Sequence, residues 1–525
     1  IDLYRRPLEG DALGYYDVRS SILENNLYGV DINEESVELA RLSLWLRTAE
    51  HGRKLNDLSK NIKCGNSLID DKSVAGDLAF NWQEKFPEIM ANGGFDAVIG
   101  NPPYGAKLTN EIQKYLNNKF IKGASETAIA FIKLGRDYLK ENGQLSFIIP
   151  KSFSYSSNYA AIRELVLEEM IEIVDCKKVW KEVKLEQVII RFQKDIKKTT
   201  YTSSRLQDNI IMPVGSINKE TFELFGFYLN DVSDEELSIA KKILRVNKFI
   251  NNFATNSRGG IFQNAIKDKG DYEVLGGSEI QRKGISGIKG YVDKSVIEED
   301  DKAIIKPNSV LVQNIVAHIE NPVDHIKIIC AIPLNLNQVI VDTVNQITTN
   351  EQISNRLLYI ILNSTLINWY AYRFIFGKAI RTMHFDSPVT SRIPLTIPED
   401  QLPFIEKADK MLILNKTFQE KKTEFIEWVK SEFAVTEISN KLDGFYKLDF
   451  DELKKELKKK MPKEKELGPK EIGSLKKYYE EYKTELVSLD NEIKKTDLTI
   501  DEMVYELYGL TKEERDIVRG KIEIV

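Results

Sequence analysis

Cysteine and histidine are scarce in this 525-residue sequence, with three Cys and four His. Cys64, Cys176 and Cys330 stand far apart and form no C-x-x-C pair, so the spacing supports neither a disulfide framework nor a zinc site. His51, His318, His325 and His384 make no spaced ligand set, and no metal is inferred. No apolar run approaches the ~20 residues that cross a bilayer. The opening residues, Ile1-Asp2-Leu3-Tyr4-Arg5-Arg6, lack the basic-then-apolar order of a secretion signal. The expected location is a reducing cytoplasm, away from membranes. There is no excess of positive charge either: 74 Lys and Arg against 80 Asp and Glu leave a formal charge of -6. Any surface for nucleic acid must therefore be a local basic patch.

The composition, 42% hydrophobic and 29% charged, is that of a folded globular protein, and the length allows about three domains. From Asn26 to Ile149 short apolar runs alternate with helical patterns, the mark of a parallel α/β sheet. Asn33 with Glu34 and Glu35 starts a helix after a strand ending near Asp31. Ala128 to Lys140 reads as a second helix, closed by Asn142-Gly143, before a strand at Leu145 to Ile149. Ile171 to Asp175 and Val188 to Phe192 read as further strands. Lys194 to Arg205, rich in Lys, Thr and Ser, reads as a boundary, which places a first domain at 1–205 and a linker at 206–244. A mixed α/β domain is expected over 245–400. A charged helical region is expected over 401–525, with helical faces in Ile405 to Phe433 and Leu475 to Ile493.

The chemistry concentrates in Asn101-Pro102-Pro103-Tyr104, which follows Gly100 and the apolar strand Phe95 to Ile99. Ligands of open parallel sheets bind beyond the carboxyl ends of strands, which is where this segment falls. Two prolines stiffen the turn and remove two N–H donors, leaving the Asn101 side-chain oxygen and the Pro102 carbonyl to accept from one incoming group. A primary amine on a planar base offers two such N–H donors. Accepting both draws the nitrogen lone pair out of conjugation with the ring and makes it a better nucleophile toward an electrophilic methyl group. Tyr104 supplies a face on which the base stacks. Inside a duplex that amine is out of reach, so the base must be flipped out at a cost of about a few kcal/mol. An Asn-capped Pro-Pro turn without chemistry is the competing reading.

On these residues the chain resembles the gamma-type, N6-adenine DNA methyltransferases, in particular the long type IIG restriction-modification enzymes and phage-defence relatives that join methyltransferase and target-recognition domains. The resemblance implies a Rossmann-like class I methyltransferase domain, incomplete at its N-terminus, then a mixed α/β target-recognition domain and a helical spacer and bundle. It implies double-stranded DNA as partner and S-adenosylmethionine as methyl donor, with Asn101, Pro102 and Tyr104 catalytic. Asp31, in Tyr28-Gly29-Val30-Asp31-Ile32-Asn33, would accept from the ribose hydroxyls of the cofactor, with Ile32 against its adenine. A helix-capping Asp/Asn pair explains the same residues. Asn66 and Ser67, in Lys63-Cys64-Gly65-Asn66-Ser67-Leu68, stand where such enzymes commonly place an acidic residue for the adenine amino group; an ordinary turn fits them equally. Trp180, in Val179-Trp180-Lys181, falls where an aromatic residue covers the other face of the flipped base, although a core tryptophan fits too.

The Gly-rich turn Asp-Pro-x-x-Gly-x-Gly, expected upstream of Asp31, has no counterpart in the sequence. With a first residue of Ile rather than Met, the expectation is that preceding residues are missing and that cofactor binding is impaired in 1–525; type IIG relatives carry an N-terminal nuclease domain, and whether one stood upstream here is left open. Lys378-Ala379-Ile380-Arg381-Thr382-Met383-His384-Phe385-Asp386 resembles a target-recognition segment: Arg381 suits guanine or phosphate, with Thr382 and His384 as further contacts. Arg258 in Ser257-Arg258-Gly259-Gly260, and Arg282 with Lys283 in Gln281-Arg282-Lys283-Gly284, set cations on flexible backbone. Solvated loops, and for His384 a satisfied core histidine, are the alternatives. Three other functions remain open on the motif: N4-cytosine methylation, methylation of a protein glutamine, and a DNA-binding specificity module with incomplete catalysis.

Overall fold

The structure is a computed structural model and describes residues 21–48, 57–124, 126–179, 185–282, 284–297, 301–320, 324–379, 383–462 and 467–520. The chain forms two compact units, Ile1–Asp231 and Val232–Val525.

Unit 1 is α/β. Strands β1 (Gly29–Asp31) and β2 (Ile62–Cys64) pair in parallel, with Asp31 opposite Cys64. A six-stranded sheet comprises β3 (Phe95–Gly100), β4 (Leu139–Pro150), β5 (Met170–Lys177), β6 (Gln187–Gln193), β7 (Thr200–Gln207) and β8 (Ile210–Asn218), in the order β3-β4-β6-β5-β7-β8. β3 and β4 are parallel and joined by helices Asn110–Lys119 and Thr127–Asp137, while β6 runs antiparallel to both its neighbours. The core is built on the sheet by Leu145, Ile149, Ile173, Val188, Ile190 and Phe192, with Ile132 from the helix above, all buried. At the amino ends of β1 and β3, Tyr28 and Phe95 share an aromatic cluster with Trp82 and Phe86.

Two sequence expectations change. The helix read as Ala128 to Lys140 ends at Asp137, and β4 starts at Leu139; Asn142, at φ 65, turns the chain inside that strand. Between Phe95↔Leu139 and Ala97↔Gln144 the register shifts, so the intervening residues bulge. The boundary at 205 also moves. Residues 206–244 are structured rather than linker: β8 completes a hairpin with β7, followed by helices Thr221–Phe225 and Asp234–Leu244, and the unit division falls after Asp231. The Thr- and Ser-rich composition that resembled a linker belongs to a half-buried strand, where β-branched residues fit the pleat.

Unit 2 holds an antiparallel sheet in the order Cys330–Ala331, Ser309–Gln313, Val344–Thr349, Ala254–Arg258. Buried helices Asn355–Asn363 and Thr365–Phe374 follow. Helices Leu402–Phe433 and Pro469–Leu507 then pack antiparallel: Lys410 pairs with Glu492 at 2.9 Å and Lys421 with Glu485 at 3.4 Å. No described helix is long and apolar enough to cross a membrane.

Candidate active site

β3 delivers Asn101-Pro102-Pro103-Tyr104 at its carboxyl end. Gly100 lies opposite Phe147 on β4, and a Cβ there would stand 3.0 Å from the Phe147 ring, so a larger residue would make the ring shift by a few tenths of an ångström. Pro102 is buried, Asn101 is exposed and Tyr104 is half-buried. The loop is held from the start of helix Thr127–Asp137: the Thr127 hydroxyl donates to the Pro103 carbonyl, and the Gly105 N–H donates to Glu126 Oε1 at 3.4 Å. Gly105, at φ +71, makes the left-handed turn that ends the motif. Burial raises the Tyr104 phenol above its ordinary range, so the ring stays neutral at physiological pH.

Asp31 and Asn66 sit at the carboxyl ends of the adjacent β1 and β2. Asp31 Oδ1 accepts the Asn33 N–H at 2.8 Å, and Asn33 Oδ1 accepts the Ser36 N–H at 2.9 Å. Both sequence readings therefore coexist: Asn33 closes the start of helix Glu34–Thr48, and Asp31 keeps an exposed carboxylate. Ile32 is 54% exposed beside it. An acceptor for sugar hydroxyls next to a bare apolar side chain fits the nucleoside end of a cofactor. Asn66 Oδ1 accepts the Leu68 N–H at 3.2 Å. Its amide nitrogen then suits a ring nitrogen acceptor, and the oxygen keeps a second lone pair for an exocyclic amine. Ser67 contributes its carbonyl to the Trp82 indole at 3.0 Å, a bond internal to the protein.

The segment carrying Asn66 is tied to the helix that follows the Asn-Pro-Pro-Tyr loop. Asp70 pairs with Lys119 at 2.8 Å and accepts from the Tyr115 hydroxyl at 2.5 Å. Burial works to raise the Asp70 carboxyl, but bonds from Lys119 and Tyr115 outweigh it and hold it below the usual range; burial and the same bond push Tyr115 up to about 12. A second cluster closes the carboxyl ends of the sheet. Lys151, directly after β4, lies 2.8 Å from Asp175 Oδ2 on β5 and 3.3 Å from Glu186 Oε1 just before β6. Neither cluster follows from sequence reading, because partners 45 and 24 residues apart leave no local pattern.

On the other edge β3 has no partner strand among the described residues, and Ile99 is 83% exposed. Trp180, Lys283, Arg381 and Thr382 lie outside the described residues.

Within unit 2 the proposed DNA contacts divide. Arg258, at the end of its strand, donates to the Asp342 carbonyl at 2.6 Å and stays partly exposed. Gly259 presses on backbone, since a Cβ would stand 2.4 Å from the Val341 carbonyl oxygen. Arg282 faces Asp497 of the long C-terminal helix at 3.3 Å. His384 turns inward: its Nδ1 lies 2.6 Å from Asn314 Oδ1, while Asn314 Nδ2 donates to Asn345 Oδ1 at 2.7 Å and Asp386 Oδ1 at 2.9 Å. Because Asn314 spends both amide hydrogens there, Nδ1 of His384 carries the proton. Asn345 continues the chain to Asn256 Oδ1 at 3.0 Å. This buried network anchors the segment after Arg381 and Thr382. Asn345→Leu orphans the groups on either side and is expected to destabilise unit 2 by about 1–3 kcal/mol for each group left unpaired, measurable as earlier loss of hydrogen-exchange protection in Val344–Thr349.

Residues 25–180 match the Eco57I restriction-modification methylase family, and residues 397–504 match a domain of unknown function, DUF8810. A putative type II restriction enzyme and methyltransferase of Methanocaldococcus jannaschii is 34% identical over 91 residues, covering 17% of this chain and 8% of that protein. The type II restriction enzyme and methyltransferase RM.Eco57I of Escherichia coli is 27% identical over 236 residues, covering 41% of this chain and 21% of that protein. The chain thus spans under a quarter of the length of these curated relatives. Among solved structures, the type IIL restriction-modification enzyme MmeI in complex with DNA is similar at a TM-score of 0.45 and 12% identity, over 95% of this chain and 76% of that one.

Proposed function

We propose that this chain, whose residues 25–180 form an Eco57I-type restriction-modification methylase domain, methylates the N6 amino group of an adenine flipped out of double-stranded DNA. The observation that carries the reading is the exposed Asn101 side chain at the carboxyl end of β3, on a loop fixed by buried Pro102 and the Thr127 hydroxyl. S-adenosylmethionine supplies the electrophilic methyl carbon when bound, with Asp31, Ile32 and Asn66 placed to hold its nucleoside end. Asn101 Oδ1 and the Pro102 carbonyl accept the two amine hydrogens and orient the nitrogen lone pair away from the base ring. Tyr104 stacks on the base as a neutral phenol. Arg258, partly exposed at its strand end, is the described cation of unit 2 offered for duplex contact, while His384 braces the fold behind it through Asn314.

DNA from cells carrying the intact gene, digested and resolved by mass, is expected to contain N6-methyl-2′-deoxyadenosine that disappears when Asn101 is replaced by Ala. N4-methylcytosine in its place assigns the cytosine alternative, and the absence of both defeats the reading. Among the described residues the outer edge of β3 has no partner strand, and the sequence holds no Gly-rich cofactor turn before Asp31; both favour a second reading for residues 1–525 taken alone, as a DNA-binding module that holds S-adenosylmethionine weakly. Titration calorimetry on 1–525 is then expected to show no saturation below about 1 mM, and tighter binding contradicts it.

A further inference from the structure

Unit 2 contains a cavity of about 310 Å³ that the methyl-transfer chemistry does not use, at the lower end of the range of small-ligand sites. Its walls bring together four cations from distant parts of the chain: Arg282, Lys327, Arg373 and Arg519, against the single carboxylate of Asp324. Three of the four have acidic partners. Arg282 pairs with Asp497 at 3.3 Å, Arg373 with Glu236 at 2.5 Å, and Arg519 with Glu502. Lys327 forms no ion pair among the described residues. Burial and the neighbouring Arg282 hold its ammonium below the ordinary lysine range, with Asp497 only partly offsetting them.

We propose that this cavity binds a phosphate group, with Lys327 as the cation that meets it and Arg282 and Arg519 as the flanking guanidinium groups. Two observations select phosphate over a flat aromatic ligand. Guanidinium groups around a small space match the tetrahedral oxygens of phosphate. The one large aromatic lining residue, Trp369, is already covered by Arg373, whose guanidinium carbon lies 5.0 Å from the ring centre. Trp369 is itself only 5% exposed, which leaves little ring for a nucleobase to stack on. The phosphate belongs either to a DNA backbone or to a free phosphate compound, and the proposal stands whether or not the chain transfers methyl groups.

Lys327→Gln removes the charge without breaking an ion pair, and Lys327→Arg keeps it. The intact gene product and both variants are titrated with inorganic pyrophosphate by calorimetry, and with a fluorescent duplex by anisotropy between about 50 and 200 mM salt. A DNA phosphate in the cavity predicts that Lys327→Gln weakens duplex binding several-fold and lowers the slope of log K against log[salt] by about 1, with Lys327→Arg restoring both. A free phosphate predicts that pyrophosphate binds the parent protein and Lys327→Arg but not Lys327→Gln, with duplex binding unchanged. If Lys327→Gln alters neither titration, or if pyrophosphate fails to bind and the salt slope is the same in all three proteins, the proposal is overturned.

Discussion

Asn101→Ala is expected to lower single-turnover methyl transfer by about 100- to 1000-fold while leaving thermal stability unchanged. Its side chain is exposed, so truncation opens no cavity; under the proposed function the lost element is one of the two acceptors for the amine. That acceptor acts most strongly as the nitrogen gives up its lone pair, so the loss belongs in the rate constant of the chemical step and not in DNA affinity. Asn101→Gln separates this account from a role in folding. It retains the amide but moves the oxygen by a methylene, and a displacement of about 1 Å costs on the order of 100-fold in rate. Equal rates for Asn101→Ala and the parent protein would remove the acceptor role and with it the reading of the loop. A large fall in melting temperature would instead make Asn101 a structural cap.

The contrast between what sequence reading located and what it missed follows from the range of the interactions. Asn101 to Tyr104 was legible because its determinants are contiguous: an apolar strand, a glycine close to the Phe147 ring, and two prolines. Asp31 and Asn66 were placed for the same reason, each directly after a short strand. The bond from the Leu68 N–H to the Asn66 side-chain oxygen is visible only in three dimensions, and it leaves that oxygen a second lone pair for an adenine amine. The overextended helix after Ala128 shows a local signal with two meanings. Asn142-Gly143 is a common helix stop, yet here the left-handed Asn142 forms a bulge within β4. Arg282 looked like an exposed loop cation because its partner, Asp497, lies more than 200 positions later in the chain. For His384 a satisfied core histidine is the commoner fate beside the contact reading, and its bond to Asn314 ties it into the internal network.

Lys151→Met is expected to destabilise unit 1 by about 3–5 kcal/mol, more than truncation of the exposed Asn101. Lys151, Asp175 and Glu186 have side-chain exposures of 2%, 3% and 8%, so removing the ammonium leaves two carboxylates in a nearly dry site. Either they stay charged against each other, or they bind protons at a cost in folding free energy. Desolvating the three charges is itself expensive, so the cluster need not stabilise the fold relative to an uncharged core. The triple change Lys151→Met, Asp175→Asn, Glu186→Gln is therefore expected to recover most of the loss, and the non-additivity measures the coupling. Because the chain has two units, one melting curve does not report on unit 1 alone. Hydrogen exchange in Met170–Lys177 and Gln187–Gln193 does, and should show faster opening in Lys151→Met but not in the triple variant. Lys151 directly follows β4, the strand paired with β3 up to Gly100, so the same loosening should slow methyl transfer even though Lys151 touches no reacting atom. If exchange is unchanged in Lys151→Met, the carboxylates have another source of compensation, and the cluster is not what fixes the ends of these strands.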